Sequence, residues 1–190
     1  MYIAYIDGGR VPGTKITTIG GVVYCGEIEL FRYSEVGPQG TNADAEFASL
    51  MRCLQLASDH GINEILIKCD ASILINSLRP KLDVVTGLIE KISSDPKIHP
   101  GAFKALRKIT GKRIGNNLNA WQKWFQKNKS NIVGHSCGKK YMKYIVDIKK
   151  FEETICFNLH LIPRDQNIIA DDLTKKARKY AEQVVLVPGG

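Results

Sequence analysis

The sequence predicts an α/β fold built on a mixed five-stranded sheet, an antiparallel meander joined by parallel strands, with helices packed on it. Three observations lead there. The first 36 residues alternate β-branched or aromatic residues with glycine-containing turns. Helical periodicity begins abruptly after Asn42. From there strand and helix patterns alternate, as in sheets whose later strands run parallel.

The meander reads as Tyr2 to Asp7, about Lys15 to Tyr24, and Glu27 to Glu35. Short connections between them favour antiparallel pairing. In the first helix Phe47, Leu50, Met51 and Leu54 recur at i, i+3, i+4 and i+7, and His60-Gly61 closes it. Glu46 stands in its first turn, flanking the apolar stripe. Asn63 to Cys69 contains the apolar run Ile65-Leu66-Ile67, the pattern of a central strand covered on both faces. A short helix, Ser72 to Leu78, follows.

Residues 79 to 153 form a basic helical insertion before the last strand, within a single domain spanning 1 to 190. Helices are predicted near Leu82 to Ile92, Ala102 to Ile109, Leu118 to Gln126 and Lys140 to Glu153, punctuated at Asp95-Pro96, His99-Pro100-Gly101, Gly111 and Gly115-Asn116-Asn117. A final strand, Ile155 to Ile162, leads into a helix from about Asn167 to Glu182, in which Ala170, Leu173, Ala177 and Ala181 share a face. The closing residues from Val184 to Gly190 read as a short strand or a tail.

Charge is unevenly distributed. From Arg79 to Lys150 there are 17 Lys and Arg against 4 Asp and Glu, a balance of +13; the rest of the chain carries 10 against 15, a balance of −5. An acidic body able to bind cations is thus interrupted by a basic segment able to bind a polyanion, which suits a nucleic-acid enzyme; the plain alternative is a solvated basic surface.

No apolar run is long enough to span a membrane and no signal-like N-terminus is present, so the expectation is an intracellular protein, cytoplasmic if bacterial, with no membrane partner and no obligate protein partner. Five cysteines, Cys25, Cys53, Cys69, Cys137 and Cys156, are scattered with no CxxC pair, which argues for reduced thiols, mostly in the core. His60, His99, His135 and His160 show no metal-ligand spacing.

Four acids stand in the order strand, helix, strand, helix: Asp7, Glu46, Asp70 and Asp171. Carboxylates at the ends of separate elements can be carried by a fold to one point, where their oxygens suit hard divalent cations. Each also has a plainer reading. Asp7 before Gly8-Gly9 is a turn residue, Glu46 a partner of the helix dipole, Asp70 a cap ahead of Ala71-Ser72, and Asp171 surface charge with Asp172 as a rival.

The surrounding motifs resemble the type 1 ribonuclease H group of the ribonuclease H-like superfamily, over residues 1 to 78 and 155 to 183. The matching pieces are Asp7-Gly8 ending the first strand, Thr41-Asn42-Ala43-Asp44-Ala45-Glu46 opening the first helix, Asp70 ending the fourth strand, and Asn167 to Leu173 as Asn-x-x-Ala-Asp-x-Leu. The resemblance implies a ribonuclease H-like sheet and a metal-dependent endonuclease that hydrolyses the RNA strand of RNA/DNA hybrids. It implies Asp7, Glu46, Asp70 and Asp171 as both catalytic residues and ligands of two Mg²⁺ ions, with Mn²⁺ as a substitute.

Thr41 and Asn42 match the segment that reads the nucleic-acid backbone in the minor groove. The chain departs from the usual pattern at Gly9, Ala43 and Ala71. Arg164, in His160-Leu-Ile-Pro-Arg164-Asp-Gln-Asn167, sits where it can contact a phosphate or pair with Asp165 or another acid. The insertion occupies the place of a basic protrusion in some members. There Lys123 and Lys127 are candidates to track phosphates. Trp121, Trp124 and Phe125 either stack on bases or form a small core of their own, and the core is preferred.

Two other functions remain open from sequence: a nuclease for structured DNA or double-stranded RNA, and a non-catalytic nucleic-acid-binding module.

Overall fold

The computed structural model describes residues 1–95, 99–129, 132 and 139–186. His135, Cys137, Pro96 and residues 187–190 of the tail lie outside them. The described chain forms two compact units, Met1–Ile75 with Tyr141–Gly190, and Asn76–Lys140.

The first unit is organised by a five-stranded sheet in the order β3-β2-β1-β4-β5. Strands β1 (Tyr2–Arg10), β2 (Thr17–Cys25) and β3 (Ile28–Val36) form the antiparallel meander, and β4 (Glu64–Cys69) and β5 (Cys156–Leu161) extend it in parallel from β1. The mixed five-stranded prediction therefore holds. β4 is central, but its burial alternates: Ile65, Ile67 and Cys69 are buried while Leu66 and Lys68 are half-buried. The apolar run gave its position correctly and overstated the cover on its second face.

Helix α1 (Asn42–Asp59) begins at Thr41, whose hydroxyl and backbone N–H form a reciprocal capping box with Asp44. It ends where Gly61 turns the chain at φ 68°. Phe47, Leu50 and Leu54 are fully buried, and Met51 is half-buried at the edge of the stripe. Helix α7 (Ile168–Leu186) buries the small stripe Ala170, Leu173, Ala177 and Ala181, and its last turn takes in Val184 and Val185.

These helices lie on opposite faces of β1. A Cβ on Gly8 would stand 2.4 Å from the Ala45 carbonyl carbon of α1, whereas one on Gly9 would meet Thr174 and Arg178 of α7. Successive strand residues point to opposite faces, so each glycine admits one helix. Gly20 of β2 does the same for α7, with the Thr174 nitrogen 2.5 Å from its would-be Cβ.

Helix α2 (Ser72–Leu78) follows β4. In the second unit, α3 (Lys81–Ser94), α4 (His99–Thr110) and α5 (Leu118–Asn128) match three predicted helices of the insertion. Val85, Ile89, Ile92, Phe103, Leu106 and Trp121 form its core, with Trp124 and Phe125 packed against it. Trp121 is fully buried and its indole N–H donates to the Gly115 carbonyl at 3.0 Å, so the aromatic cluster is core, as preferred from sequence. The fourth helix, α6 (Met142–Glu152), follows a 3₁₀ turn and packs on α1 in the first unit.

Among the described residues Cys53 and Cys69 are buried free thiols, Cys25 is half-buried and Cys156 is exposed on edge strand β5. No described helix is long and apolar enough to cross a membrane.

Candidate active site

The last paired residues of β1 and β4 are Tyr5 and Lys68, and two positions further along each chain stand Asp7 and Asp70. Adjacent parallel strands thus deliver two carboxylates to one end of the sheet, where open α/β sheets place their ligand sites. Asn167, in the turn before α7 and almost fully buried, fixes this end. Its side-chain amide donates to the Ile6 carbonyl at 2.9 Å and to Asp70 Oδ1 at 3.1 Å.

Glu46 enters from α1, as the fifth helical residue and not within the first turn, where Asp44 stands instead. The Gly8 N–H donates to its carboxylate, so the glycine that lets α1 approach also binds the acid that α1 carries. Its other oxygen, Oε2, is buried without a hydrogen-bond partner. Burial, followed by the charges of Asp7 and Asp70, pushes the Glu46 carboxyl up to about 9. Asp7 is also raised: burial dominates, a hydrogen bond from Thr174 opposes it, and the charges of Asp70 and Asp171 add to it. These mutual effects bring the four acids into one electrostatic group.

Asp171 lies one turn into α7, mostly buried, while neighbouring Asp172 is exposed. Arg164 donates to Asp171 Oδ1 at 3.3 Å, and Lys175, one turn further on, pairs with Oδ2. Burial works against ionisation of Asp171, but these two cations outweigh it and hold the carboxyl below its usual range. The sequence left Arg164 to pair with Asp165 or another acid, and in the structure the acid is Asp171.

Among the described residues no three His, Cys, Asp or Glu side chains converge closely enough to form a ready metal cage. The cause at Asp171 is visible, since both of its oxygens already face protein cations. The residues nevertheless fit a hard divalent cation: the donors are all carboxylate oxygens, and Glu46 Oε2 is a buried acceptor with nothing to accept from.

The candidate substrate residues are distributed differently. Thr41 and Asn42 are exposed at the N-terminal end of α1, the Thr41 hydroxyl being engaged in the capping box. Arg164 is exposed beside the acids. Lys123 and Lys127 are exposed one turn apart on α5, in the second unit. Sequence reading passed over Asp44, Thr174 and Lys175. The spacing Thr41-x-x-Asp44 is a capping-box signature and Asp171 to Lys175 is an i, i+4 ion pair, so two of the three carried a usable signal.

The 3-2-1-4-5 sheet with helices on both faces is a ribonuclease H-like fold. Residues 6–94 match the family model described as Reverse transcriptase-like. Three solved structures share the fold over nearly the whole chain. The N-terminal RNase H domain of a Mycobacterium tuberculosis protein is 16% identical with a TM-score of 0.56, covering 93% of this chain and 98% of that one. RNase H1 from the halophilic archaeon Halobacterium salinarum gives 16% and 0.55, with 94% and 98% covered. LC11-RNase H1, isolated from compost by a metagenomic approach and solved in complex with an RNA/DNA hybrid, gives 18% and 0.55, with 96% and 99% covered. No curated protein sequence matches the chain. The ribonuclease H-like fold that the resemblance implies is thus shared over nearly the full length, and the family match covers residues 6–94.

Proposed function

We propose that the chain is a metal-dependent endonuclease that hydrolyses the RNA strand of RNA/DNA hybrids. What supports this is that Asp7 and Asp70 stand at one end of the sheet and act electrostatically on Glu46, whose Oε2 is buried without a partner, while Asp171 acts on Asp7. The hybrid bound to LC11-RNase H1, which shares the fold, supports the choice of substrate.

Asp7, Glu46, Asp70 and Asp171 would hold two Mg²⁺ ions, or Mn²⁺ in their place. Cations held there would supply Lewis-acid activation of a water and charge stabilisation for the leaving oxygen. For the protein, binding requires that Glu46 release its proton and that Asp171 exchange at least one of its protein cations. Asn167 keeps the Asp70 carboxylate oriented throughout. Arg164, exposed beside Asp171, contacts a phosphate of the substrate. Thr41 and Asn42 face the nucleic-acid backbone, and the basic insertion 79–153, with Lys123 and Lys127, adds phosphate contacts that weaken with salt. Attack on phosphorus breaks the bond to the 3′-oxygen and leaves 5′-phosphate and 3′-hydroxyl ends.

The test is incubation with strand-labelled RNA/DNA hybrid, double-stranded RNA and double-stranded DNA, in Mg²⁺, Mn²⁺ or chelator, beside Asp70→Asn. Metal-dependent loss of the RNA strand in the hybrid alone, abolished by the substitution, is expected. Cleavage of another duplex instead would assign a different nuclease substrate. Salt-sensitive binding with every strand intact would leave a nucleic-acid-binding module.

A further inference from the structure

Asp44 is a buried carboxylate two residues before Glu46, and its two oxygens are divided between two helices. Oδ2 accepts from the Thr41 backbone N–H at 2.8 Å and from the Thr41 hydroxyl at 2.6 Å, closing the first turn of α1. Oδ1 accepts from the Tyr144 hydroxyl of α6 at 2.8 Å, with the Lys143 ammonium 3.9 Å away. Phe47, on the other side of Glu46 in sequence, lies parallel to the Tyr144 ring at 4.8 Å and also stacks with Tyr141 at 5.2 Å. Residues on both sides of Glu46 are therefore held by α6.

Helix ends fray, and Glu46 is only the fifth residue of α1. A capping box within α1 limits that fraying but does not fix where the turn sits. The bond from Tyr144 and the stacked rings tie the turn to a second element of the same unit. The buried Asp44 carboxylate makes the tie strict, because a buried charge that loses a donor is costly.

We propose that Tyr144 and Asp44 are positioning residues that hold the N-terminal turn of α1, so that Glu46 presents its free oxygen to a divalent cation. The proposal rests on the metal-dependent reading of the four acids. Neither residue touches the reacting atoms; both act through Glu46.

The test uses Tyr144→Phe, which removes the hydroxyl and keeps the stacked ring, and Ile145→Val, which loosens the buried core side of α6 without touching Asp44. Thermal unfolding in chelator reports the fold, and the upward shift of unfolding temperature during a Mn²⁺ titration reports metal binding. Tyr144→Phe should raise the Mn²⁺ concentration at half-effect about tenfold, the loss expected for a part-buried hydrogen bond to a carboxylate. On hybrid it should lower kcat at saturating nucleic acid more than it raises KM. Ile145→Val should lower the unfolding temperature and leave the Mn²⁺ midpoint where it was. Equal Mn²⁺ midpoints for wild type and Tyr144→Phe would overturn the positioning role while leaving the nuclease reading standing. A wild-type protein that neither responds to Mn²⁺ nor cleaves hybrid would overturn both.

Discussion

Asn167 and Asp70 lie 97 positions apart in sequence and are joined by a hydrogen bond of 3.1 Å, with the same amide also bonded to the Ile6 carbonyl. One side chain from the turn before α7 thereby ties the ends of β1 and β4, the two strands that present Asp7 and Asp70. Replacing it with alanine leaves a buried carbonyl without its donor and frees the Asp70 carboxylate to rotate. Asn167→Ala should cost about 1–3 kcal/mol of stability, measured as a lower denaturant midpoint at unchanged slope.

Glycine substitutions separate the site from the rest of the chain. At Gly8 an added Cβ meets α1 backbone at 2.4 to 2.6 Å, so Gly8→Ala forces the helix away from the sheet, taking Glu46 with it. A loss of at least ~1–3 kcal/mol and of the Mn²⁺-dependent rise in unfolding temperature is expected. Gly87, inside α3, has open space around its would-be Cβ and an ordinary helical backbone. Gly87→Ala should stabilise by about 0.5–1 kcal/mol and leave metal binding intact. Thermal unfolding with and without Mn²⁺ checks both.

The mixed five-stranded sheet and the elements that carry the four acids were legible in sequence because each depends on local signals: apolar periodicity, turn residues and an acid at or near the end of an element. What holds the acids in place was not legible, because it depends on pairs distant in sequence. Asp44 and Tyr144 are 100 positions apart, and Thr174 donates to the Asp7 carbonyl from 167 positions away. The ambiguity between Asp171 and Asp172 had the same origin. Two adjacent acids are equivalent as a pattern until α7 is laid on the sheet and turns one inward.

Glu46, half-buried with its Oε2 fully enclosed, makes stability depend on pH in the absence of metal. Burial and the charges of Asp7 and Asp70 push its folded-state carboxyl from the ordinary 4.5 up to about 9, so the native protein keeps a proton that the unfolded chain gives up. This contribution to stability is complete below the unfolded value and is lost as pH rises through the folded one. In chelator, the unfolding temperature should therefore fall between about pH 5 and pH 9. Glu46→Gln should flatten that fall and raise the unfolding temperature near pH 8 by about 2–4 °C for each kcal/mol recovered. A wild-type pH profile no steeper than that of the variant would show that Glu46 is ionised in the folded protein.

Metal binding should show the converse dependence, because a cation must displace that same proton. The Mn²⁺ concentration at half-effect should drop as pH rises from 6 to 9, with protons released on binding. Calorimetry in two buffers of different ionisation enthalpy measures the release directly. Glu46→Gln should bind weakly at every pH and release fewer protons.

Asp171 can be distinguished from Asp172 by the cations that surround it. Arg164 and Lys175 each occupy one of its oxygens, and together they outweigh burial to hold its carboxyl below the usual range; Asp172 meets Lys175 at 3.5 Å and in solvent. Asp171→Asn should abolish hybrid cleavage and weaken Mn²⁺ binding at least tenfold, a loss of about 1.4 kcal/mol or more, whereas Asp172→Asn should leave both near wild type. Lys175→Met removes one competitor for the Asp171 oxygens, so it should raise the titration midpoint of that carboxyl toward its ordinary value and strengthen Mn²⁺ binding. The strengthening should be modest, a fewfold at most, because Lys175 is half-exposed and such ion pairs are worth about 1 kcal/mol or less. Carboxyl NMR across acidic pH and a Mn²⁺ titration measure the two effects separately. Weaker Mn²⁺ binding by Lys175→Met would mean that Lys175 orients Asp171 for the cation and does not compete with it.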